Sequence, residues 1–445
     1  MSDTQRSALE ASAIHPTLAS GKPAFRSEGE GPKPLKLLLY GINFAPELTG
    51  IGKYTGEMAQ WLAAQGHDVR VVTAPPYYPA WAVSPGYSAL AYRREPWQGV
   101  DVWRCPLWVP RKPTGLRRLL HLISFAVTSV PALIAQWRWK PDVVWMAAPA
   151  FACAPGALAM ARLMGAPAWI HIQDYEVDAA FELGLLKGDR LRKTVSAVEQ
   201  GLLRRFDRVS TISGRMLERA RDKGVATMRL RSLPNWVDIS AVRPLDRPSA
   251  YRAELGIAPD ALVALYSGNM GAKQGLEVLS GLAQALRRRP DIQFVFCGEG
   301  SGRAPLEQAC VGLPNVRFLN LQPLERLPEL LGLADVHLLP QRADAADLVM
   351  PSKLTGMLSS GRPVVAGARP ETELGQVVTQ TGLLAIPDEA QSFADAVEKL
   401  ADAPAMRAVL GLRAREWAEQ NLARDSVLRQ FEADLRECLG VAVRV

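Results

Sequence analysis

The fold is decided by residues 36–52, KLLLYGINFAPELTGIG, in which a short apolar segment runs into a loop that contains three glycines. A helical pattern follows over 54–65, Gly66 stands where that helix would end, and a second apolar segment covers 69–73. Strand, glycine loop, helix and strand form a βαβ unit, from which parallel sheets are built. We therefore predict that an α/β domain begins here.

The same alternation of strands and helices continues along the chain in two series. Apolar segments predicted as strands lie at 143–146, 168–172 and 208–211 in the first series, and at 262–267, 292–297, 316–319, 336–339 and 363–366 in the second. Helical patterns separate the members of each series. The sequence therefore predicts two doubly wound Rossmann-like α/β domains, with a ligand-binding cleft between the carboxyl ends of their strands.

The composition changes at 237–261 to a charged stretch with prolines, which marks a domain boundary. We expect a first domain at 35–236, a linker at 237–261, a second domain at 262–404 and C-terminal helices at 405–445 that cross back to the first domain. Residues 1–34 are rich in Ser, Gly, Pro and Glu and lack the apolar core of a signal peptide. We expect this segment to be a disordered extension that does not direct export.

Length, cysteine content and charge narrow the class of protein. A chain of 445 residues is too long for one ordinary core. The five cysteines form no C-x-x-C pair, which indicates a reducing compartment and no structural zinc. The net charge of +7 favours an anionic partner, and nucleotide, membrane and nucleic acid all meet that description. No nucleic-acid-binding motif accompanies the charge, so we do not expect a nucleic-acid partner.

The most asymmetric stretch is 104–140, which has seven basic residues and no acidic residue. Within it, 119–135 is almost wholly apolar, but 17 residues that include His121 and Pro131 are at the lower limit for spanning a bilayer. We do not predict a transmembrane helix. The segment suits an interfacial patch on an anionic membrane, and the alternative is a buried core helix with a solvated basic rim.

Four loops follow predicted strands and are candidates for binding phosphate. The first contains Gly50 and Gly52, where backbone N–H groups can approach a diphosphate near a helix start. The second runs from Gly268 and Asn269 to Lys273, which adds one cation. A plain turn at the first loop and a solvated surface lysine at the second are the alternatives.

The third and fourth loops lie in the second domain. Gly298-Glu299-Gly300 follows a strand and can admit a ribose or base close to the backbone. Ser352 and Lys353 follow Pro351 at a probable helix start, where they can hold the phosphates of a leaving group. The alternative is that Ser352 only caps the helix and that Lys353 only faces solvent.

The first domain has its densest ionisable cluster directly after the strand at 168–172. His171 lies in that strand, and Asp174, Glu176 and Asp178 follow it. Polar groups after a parallel strand lie at the edge of the cleft, although a histidine in a strand is more often a structural residue. No acidic or histidine cluster stands in a position that indicates an obligatory metal.

These elements resemble glycosyltransferase family 4. The residues that carry the resemblance are 40–52, 62–73, the Pro75-Pro76-Tyr77-Tyr78-Pro79 run, 171–178, the Gly268 loop, 298–300 and 351–354. They are most similar to the colanic-acid biosynthesis glycosyltransferases, which are sometimes described as fucosyltransferases. The resemblance covers about residues 35–435.

The resemblance implies a GT-B fold and a retaining reaction that needs no metal or cofactor. The donor would be a GDP or UDP sugar bound mainly by the second domain, and the label of the family suggests GDP-fucose. The acceptor, on the side of the first domain, would be a lipid-linked glycan or an oligosaccharide used for exopolysaccharide or other cell-surface glycans. The enzyme would be cytoplasmic, at the inner face of the membrane. The alternative is a non-catalytic scaffold that binds nucleotide sugars at the membrane.

The resemblance also implies roles for individual residues. Gly50 and Gly52 would face the donor diphosphate, and Lys273 and Lys353 would neutralise it. Asp174 or His171 would lie beside the reacting carbons. The remaining donor contacts would come from the other motif positions, namely Gly268, Asn269, Gly298, Glu299 and Ser352.

One departure from the family concerns two glutamates that usually stand eight positions apart. The corresponding positions here are Leu348 and Gly356. We therefore expect the usual sugar-hydroxyl and ribose contacts to come from other acids, with Asp344, Asp347 and Glu371 as candidates. The position in the second loop that is commonly basic is Asn269.

Overall fold

The computed structural model describes residues 33–47, 50–111, 115–148, 150–175, 177–178, 188–271, 274–342 and 350–440. The N-terminal segment before these ranges and five of the residues named above lie outside them, so the predictions made for them stay predictions. Those residues are Lys273, Glu176, Asp344, Asp347 and Leu348.

The first sheet has eight strands in the order β3-β4-β2-β1-β5-β6-β7-β8. The strands are β1 (Lys36–Tyr40), β2 (Asp68–Thr73), β3 (Arg93–Trp97), β4 (Val100–Arg104), β5 (Val143–Ala148), β6 (Ala168–Ile172), β7 (Arg208–Thr211) and β8 (Leu230–Ser232). Strands β3 and β4 form an antiparallel hairpin at one edge. All the other pairings in this sheet are parallel.

The second sheet has six strands, all parallel, in the order β11-β10-β9-β12-β13-β14. The strands are β9 (Leu262–Ser267), β10 (Ile292–Cys297), β11 (Val316–Leu319), β12 (Val336–Leu339), β13 (Val364–Gly367) and β14 (Gly382–Ala385). In each sheet, the strands are added on both sides of a central strand, which is β1 in the first sheet and β9 in the second. This order confirms the prediction of two doubly wound domains.

Helices cover both faces of each sheet. Those of the first half are α1 (Gly50–Ala64), α2 (Gly115–Thr128), α3 (Val130–Ala135), α4 (Ala154–Met164), α5 (Asp189–Leu203) and α6 (Gly214–Asp222). Those of the second half are α7 (Tyr251–Glu254), α8 (Glu277–Ala285), α9 (Arg303–Ala309), α10 (Leu327–Leu333), α11 (Lys353–Ser359), α12 (Glu373–Thr381), α13 (Ala390–Asp402), α14 (Pro404–Asn421) and α15 (Arg424–Cys438).

Strand β1 shows why the sequence folds in this way. Residues 37–40 of this strand are buried on both faces and form a continuous apolar run, as expected of a central parallel strand. Leu38 and Tyr40 join a core with α2, α3, α4 and α6. Leu37 and Leu39 join the opposite core, which contains α1.

The C-terminal helix α15 completes that opposite core. Its residues Leu428, Phe431 and Leu435 are buried with Leu37 and Leu39 of β1. The chain reaches this place through a short parallel bridge, in which the Val237 N–H donates to the Leu422 carbonyl and the Arg424 N–H donates to the Val237 carbonyl. The last helix is therefore part of the first sheet's core.

The basic segment forms the bent pair α2 and α3, which meet at Ser129. By length and composition alone, Gly115–Ala135 is the one helical stretch among the described residues that could cross a membrane. Only 28% of its most apolar window is buried, which argues against a core helix. Arg104 is an exception within 104–140, because it is buried in an ion pair with Glu95, 2.9 Å away. It therefore does not belong to a basic surface.

The fold yields a prediction about α15. The Phe431 ring lies 5.3 Å from the Trp169 ring and 6.4 Å from the Trp145 ring, measured between centroids. We expect Phe431→Ala to lower the free energy of unfolding by about 3–5 kcal/mol, because it leaves a cavity under the first sheet. Urea denaturation followed by tryptophan fluorescence measures this loss. Arg429→Ala, on the exposed side of the same helix, should change it by less than about 0.5 kcal/mol. Equal effects of the two substitutions would contradict the docking of α15.

Candidate functional site

Loops from the carboxyl ends of strands in both sheets meet around a cavity of about 260 Å³. The loop after β1 contributes Asn43, the start of α1 contributes Gly50, and the loop after β6 contributes Gln173 and Asp174. Met350 and Ser352 line the same cavity from the second domain. The cavity therefore lies in a cleft between the two domains, as predicted for sheets of this kind.

The loop after β1 is held by Glu47, which is 5% exposed. Its carboxylate accepts hydrogen bonds from the backbone N–H groups of Tyr77 and Tyr78, each 3.0 Å long, and from the Asn43 amide at 2.9 Å. Burial raises the pKa of this carboxyl, and the three donors act against the rise. Glu47 thereby joins the loop after β1 to the loop that contains Tyr77 and Tyr78. The sequence did not reveal this role.

The two glycines of the first loop have different surroundings. Gly50 lines the cavity and has a φ of +61°, which suits a residue without Cβ. A Cβ on Gly52 would stand 2.5 Å from a carboxylate oxygen of Glu47, so glycine is required there for the approach of that side chain. Gly52 does not line the cavity.

His171 and Asp174 also separate. His171 is 3% exposed, is stacked on Trp145 with centroids 5.7 Å apart, and bonds through Nδ1 to the Ser210 hydroxyl at 2.9 Å. Burial lowers its pKa to about 3, so the ring is neutral. Its Nε2 accepts from the Gln173 amide at 3.1 Å, and that amide also donates to Asn235. His171 therefore orients residues of the cavity wall, while Asp174 itself lines the cavity.

Asp178, the other described acid of this cluster, points elsewhere. Its carboxylate forms ion pairs with Arg219 at 2.8 Å and with Lys223 at 3.0 Å. Lys223 also pairs with the buried Glu199. Asp178 thus belongs to a charged network beside α6 and is not in the cavity wall.

In the second domain, Lys353 contacts strand β9 and the loop that follows it. Its amine donates to the Tyr266 hydroxyl at 2.6 Å, to the Asn269 carbonyl at 3.1 Å and to the Gln274 side chain at 2.9 Å. It forms no ion pair with any carboxylate in the described ranges. Burial lowers the pKa of this amine to about 7. An anionic ligand would supply the opposite charge that the described part of the site lacks.

Glycines allow Lys353 and the loops after β9 and β10 to approach closely. A Cβ on Gly268 would stand 2.7 Å from Cε of Lys353, and a Cβ on Gly298 would stand 1.9 Å from the Gly268 carbonyl oxygen. Both residues have φ in the range that favours glycine, +129° and +149°. Gly268, Asn269, Gly298 and Lys353 therefore form one cluster. We call it the lysine cluster.

The remaining predicted residues lie around this cluster. The Glu299 side chain is 55% exposed and pairs with Arg303 at 3.1 Å. Ser352 precedes α11 and makes no capping hydrogen bond with its side chain, so the interpretation as a mere cap is not supported. Within the described ranges, no group of three His, Cys, Asp or Glu side chains could hold a metal ion.

Gly356 stands where the family usually has a glutamate, and Glu371 was a candidate to replace the missing acids. Gly356 lies within α11, where a Cβ would meet Leu331 at 3.1 Å. The carboxylate of Glu373 accepts hydrogen bonds from the backbone N–H groups of Gly214 and Arg215 at 2.9 and 3.0 Å, and thus joins the two domains. The side chain of Arg215 donates to the Glu371 carbonyl at 3.0 Å. No sequence pattern indicated the contact of Glu373, because its partners are far away in the chain.

Two doubly wound domains that face each other across such a cleft define a GT-B glycosyltransferase. Residues 49–236 match the family model described as "Glycosyl transferase 4-like domain", and residues 261–403 match the one described as "Glycosyl transferases group 1". The chain belongs to glycosyltransferase family 4 and is an enzyme of the glycosyltransferase class, as the resemblance implied.

Individual relatives agree with this assignment. The chain is 46% identical, over 90% of its length and 100% of the relative's, to WcaI of Escherichia coli (strain K12), which is assigned to colanic acid biosynthesis as a glycosyl transferase. Among solved structures, sucrose-phosphate synthase from Thermosynechococcus elongatus aligns with a TM-score of 0.71 at 18% identity, over 91% of this chain and 99% of that one. HepE of Anabaena in complex with UDP and glucose aligns with a TM-score of 0.65 at 15% identity, over 90% of this chain and 100% of that one.

The surroundings of Lys353 yield a prediction that needs no ligand. We expect its amine to be protonated below about pH 7 and neutral above it, because burial disfavours the charged form and no carboxylate in the described ranges compensates. NMR of protein with labelled lysine, titrated from pH 5 to 11, measures the pKa, and Lys353→Met assigns the signal. An amine that titrates near its ordinary value of about 10.4 would contradict the burial of this group.

Proposed function

We propose that the protein is a retaining glycosyltransferase that moves a sugar from a nucleotide diphosphate to a saccharide acceptor during synthesis of an exopolysaccharide or another cell-surface glycan. The observation that carries the proposal is a cavity that Gly50 and Asp174 line from the first domain and Ser352 lines from the second, with Lys353 of the lysine cluster as the next residue of the chain. One side offers a cation and exposed backbone to a diphosphate, and the other offers polar groups to a sugar hydroxyl. The similarity to WcaI supports the assignment to exopolysaccharide synthesis.

The donor is proposed to bind to the second domain. Its diphosphate would contact Lys353 and the backbone of the Gly268 loop, with Lys273 as a second cation, and its nucleoside would lie near Gly298 and Glu299. The donor would be a GDP or UDP sugar. GDP-fucose is the first candidate because the family label suggests it, and the complex of HepE with UDP makes UDP sugars the second.

The proposed chemistry needs no metal or cofactor. As the bond between the anomeric carbon and the diphosphate breaks, negative charge develops on the leaving oxygen, and Lys353 stabilises it. The sugar then resembles an oxocarbenium ion. The acceptor hydroxyl attacks from the face that the diphosphate leaves, and its proton passes to a diphosphate oxygen or to Asp174.

We expect Lys353→Met to lower kcat for sugar transfer by about 100-fold or more, because it removes a cation that acts on the leaving group. A thermal-shift panel of GDP and UDP sugars identifies the donor, since a bound ligand stabilises the folded protein by mass action. Turnover is then measured by release of the nucleotide. Arg413→Gln, which removes an exposed charge on α14, serves as the control. Near-normal turnover of the Lys353→Met protein would refute the role of Lys353.

A non-catalytic scaffold was the alternative that the sequence left open, and membership of a glycosyltransferase family argues against it. Such a protein would bind a nucleotide sugar without splitting it. Hydrolysis or transfer by the wild-type protein excludes the scaffold. Stabilisation by a donor without either reaction supports it.

We also propose that the enzyme is cytoplasmic and lies on the inner face of the membrane through α2, α3 and the residues beside them. Large apolar side chains are exposed along these helices, namely Trp108, Leu116, Leu119, Leu120, Ile123, Val127, Val130, Ile134 and Trp137. Exposed cations flank them at Arg111, Arg117, Arg138 and Lys140. An apolar strip with basic flanks is complementary to an anionic lipid surface. We call it the membrane-facing surface.

We expect Arg117→Glu to weaken binding to vesicles of phosphatidylglycerol and phosphatidylcholine by about tenfold at low salt, because each charge near such a surface contributes about 1 kcal/mol. Co-sedimentation measures the binding. Arg413→Glu makes the same change of charge on α14, away from this surface, and should have a smaller effect. Equal binding of the wild-type and Arg117→Glu proteins would contradict the proposed membrane contact.

A further inference from the structure

Helix α2 presents two different faces, and only one of them belongs to the membrane-facing surface. Arg118, His121 and Leu122 line the cavity of the cleft. Their spacing places them on one side of the helix. Leu116, Leu120, Ile123 and Val127 are exposed and share another side. The helix thus separates the catalytic cleft from the apolar strip by its own width.

We propose that the end of the cavity between Trp81, Tyr78 and Arg118 binds the acceptor saccharide, and that Arg118 binds a phosphate group at its reducing end. This assignment rests on the proposed function, and it names the chemistry of the acceptor: a sugar linked to phosphate or diphosphate. A lipid-linked sugar diphosphate and a soluble sugar phosphate share this chemistry. The exposed apolar strip on the other side of α2 favours the lipid-linked form.

An aromatic wall lines this end of the cavity. The Trp81 ring lies 5.7 Å from the Tyr77 ring and 5.3 Å from the His121 ring, and the centroids of Tyr77 and His121 are 4.7 Å apart. Tyr78 is 39% exposed beside them. The apolar C–H face of a sugar ring packs well on such surfaces. The wall therefore suits a saccharide.

The backbone at Trp81 supports a functional role for its ring. Its φ is +52°, a region that bulky residues other than glycine rarely adopt. Strain of this kind persists where the surrounding structure holds it, and it is concentrated at ligand sites. Here it accompanies an indole that lines the cleft.

Arg118 is the cation of this end of the cavity. Its guanidinium lies 6.0 Å from the centroid of the Trp81 ring, and it forms no ion pair with a described carboxylate. A guanidinium presents paired N–H donors that match two phosphate oxygens. The exposed arginine is therefore available to an anion that enters beside the aromatic wall.

His121 does not compete with Arg118 as a cation. Burial is the main cause that lowers its pKa, and its Nδ1 donates to the Trp108 carbonyl at 2.6 Å. Its Nε2 is buried and has no hydrogen-bond partner among the described residues. Buried polar atoms are rarely left in this state. A hydroxyl of the bound saccharide would supply the donor.

Two probes with the same sugar and the same lipid chain isolate the phosphate: glucosyl farnesyl diphosphate and the neutral farnesyl glucoside. Isothermal titration calorimetry without membranes, with saturating UDP and GDP to occupy the nucleotide site, measures both affinities. We expect the wild-type protein to bind the diphosphate probe at least tenfold more tightly, since charge-assisted hydrogen bonds are roughly twice as strong as neutral ones. Arg118→Gln should lower the ratio of the two affinities by about tenfold. Arg118→Lys should lower this ratio less, and the neutral probe should bind to both variants as it does to the wild-type protein.

Three results would overturn the assignment. They are the absence of a preference for the charged probe, a preference that survives in Arg118→Gln, and an equal loss in Arg413→Gln, whose exposed side chain lies on α14. Glucose 1-phosphate distinguishes the source of the phosphate, because a lipid-linked acceptor requires tighter binding of the farnesyl probe than of this soluble one. A separate measurement tests the proposed function. It is wrong if the wild-type protein neither hydrolyses any nucleotide sugar nor transfers a sugar from it. The comparison of probe affinities would still test the binding role of Arg118 in that case.

Discussion

Parallel strands impose the constraint on which the candidate site depends. Because each strand is followed by a crossover, the carboxyl ends of all parallel strands in a sheet lie at the same edge, and the loops that leave them collect there. In this protein, Asn43 and Gln173 come from loops separated by more than a hundred residues, yet they line one cavity. The same constraint acts in the second sheet, where the loops after β9 and β10 meet beside Lys353.

The charges in the cleft are arranged for anions. Lys353 is held by a hydroxyl, a carbonyl and an amide, and no described carboxylate neutralises it. Arg118 at the other end of the cleft also has no acidic partner among the residues that the structure describes. Elsewhere, the protein pairs its buried cations with carboxylates, as Arg104 with Glu95 and Lys223 with Glu199. Cations that remain unpaired in a cleft are suited to a ligand that brings its own negative charge.

The fold was largely predictable because strong local patterns agree with it. The segments 36–40 and 69–73 were predicted as strands and are found at Lys36–Tyr40 and Asp68–Thr73. The hairpin of β3 and β4 was missed, since Arg93-Arg94-Glu95-Pro96-Trp97 has neither the apolar alternation of a strand nor a standard two-residue turn signal. An edge strand tolerates such charges and a proline because one of its sides is unpaired.

The candidate site was predictable in its motifs and less so in its contacts. Gly268 and Lys353 were selected by their place after or before regular elements, and they do meet. The carboxylates of Glu47 and Glu373 were not selected, because their partners lie 30 and 159 residues away and no local pattern encodes such pairs.

A crystal structure with the stabilising nucleotide sugar tests the central claim most directly. We expect the diphosphate within hydrogen-bond distance of the Lys353 amine and the sugar facing Gly50 and Asp174. A diphosphate bound outside the cleft, with Lys353 still bonded to Tyr266, Asn269 and Gln274, would contradict it.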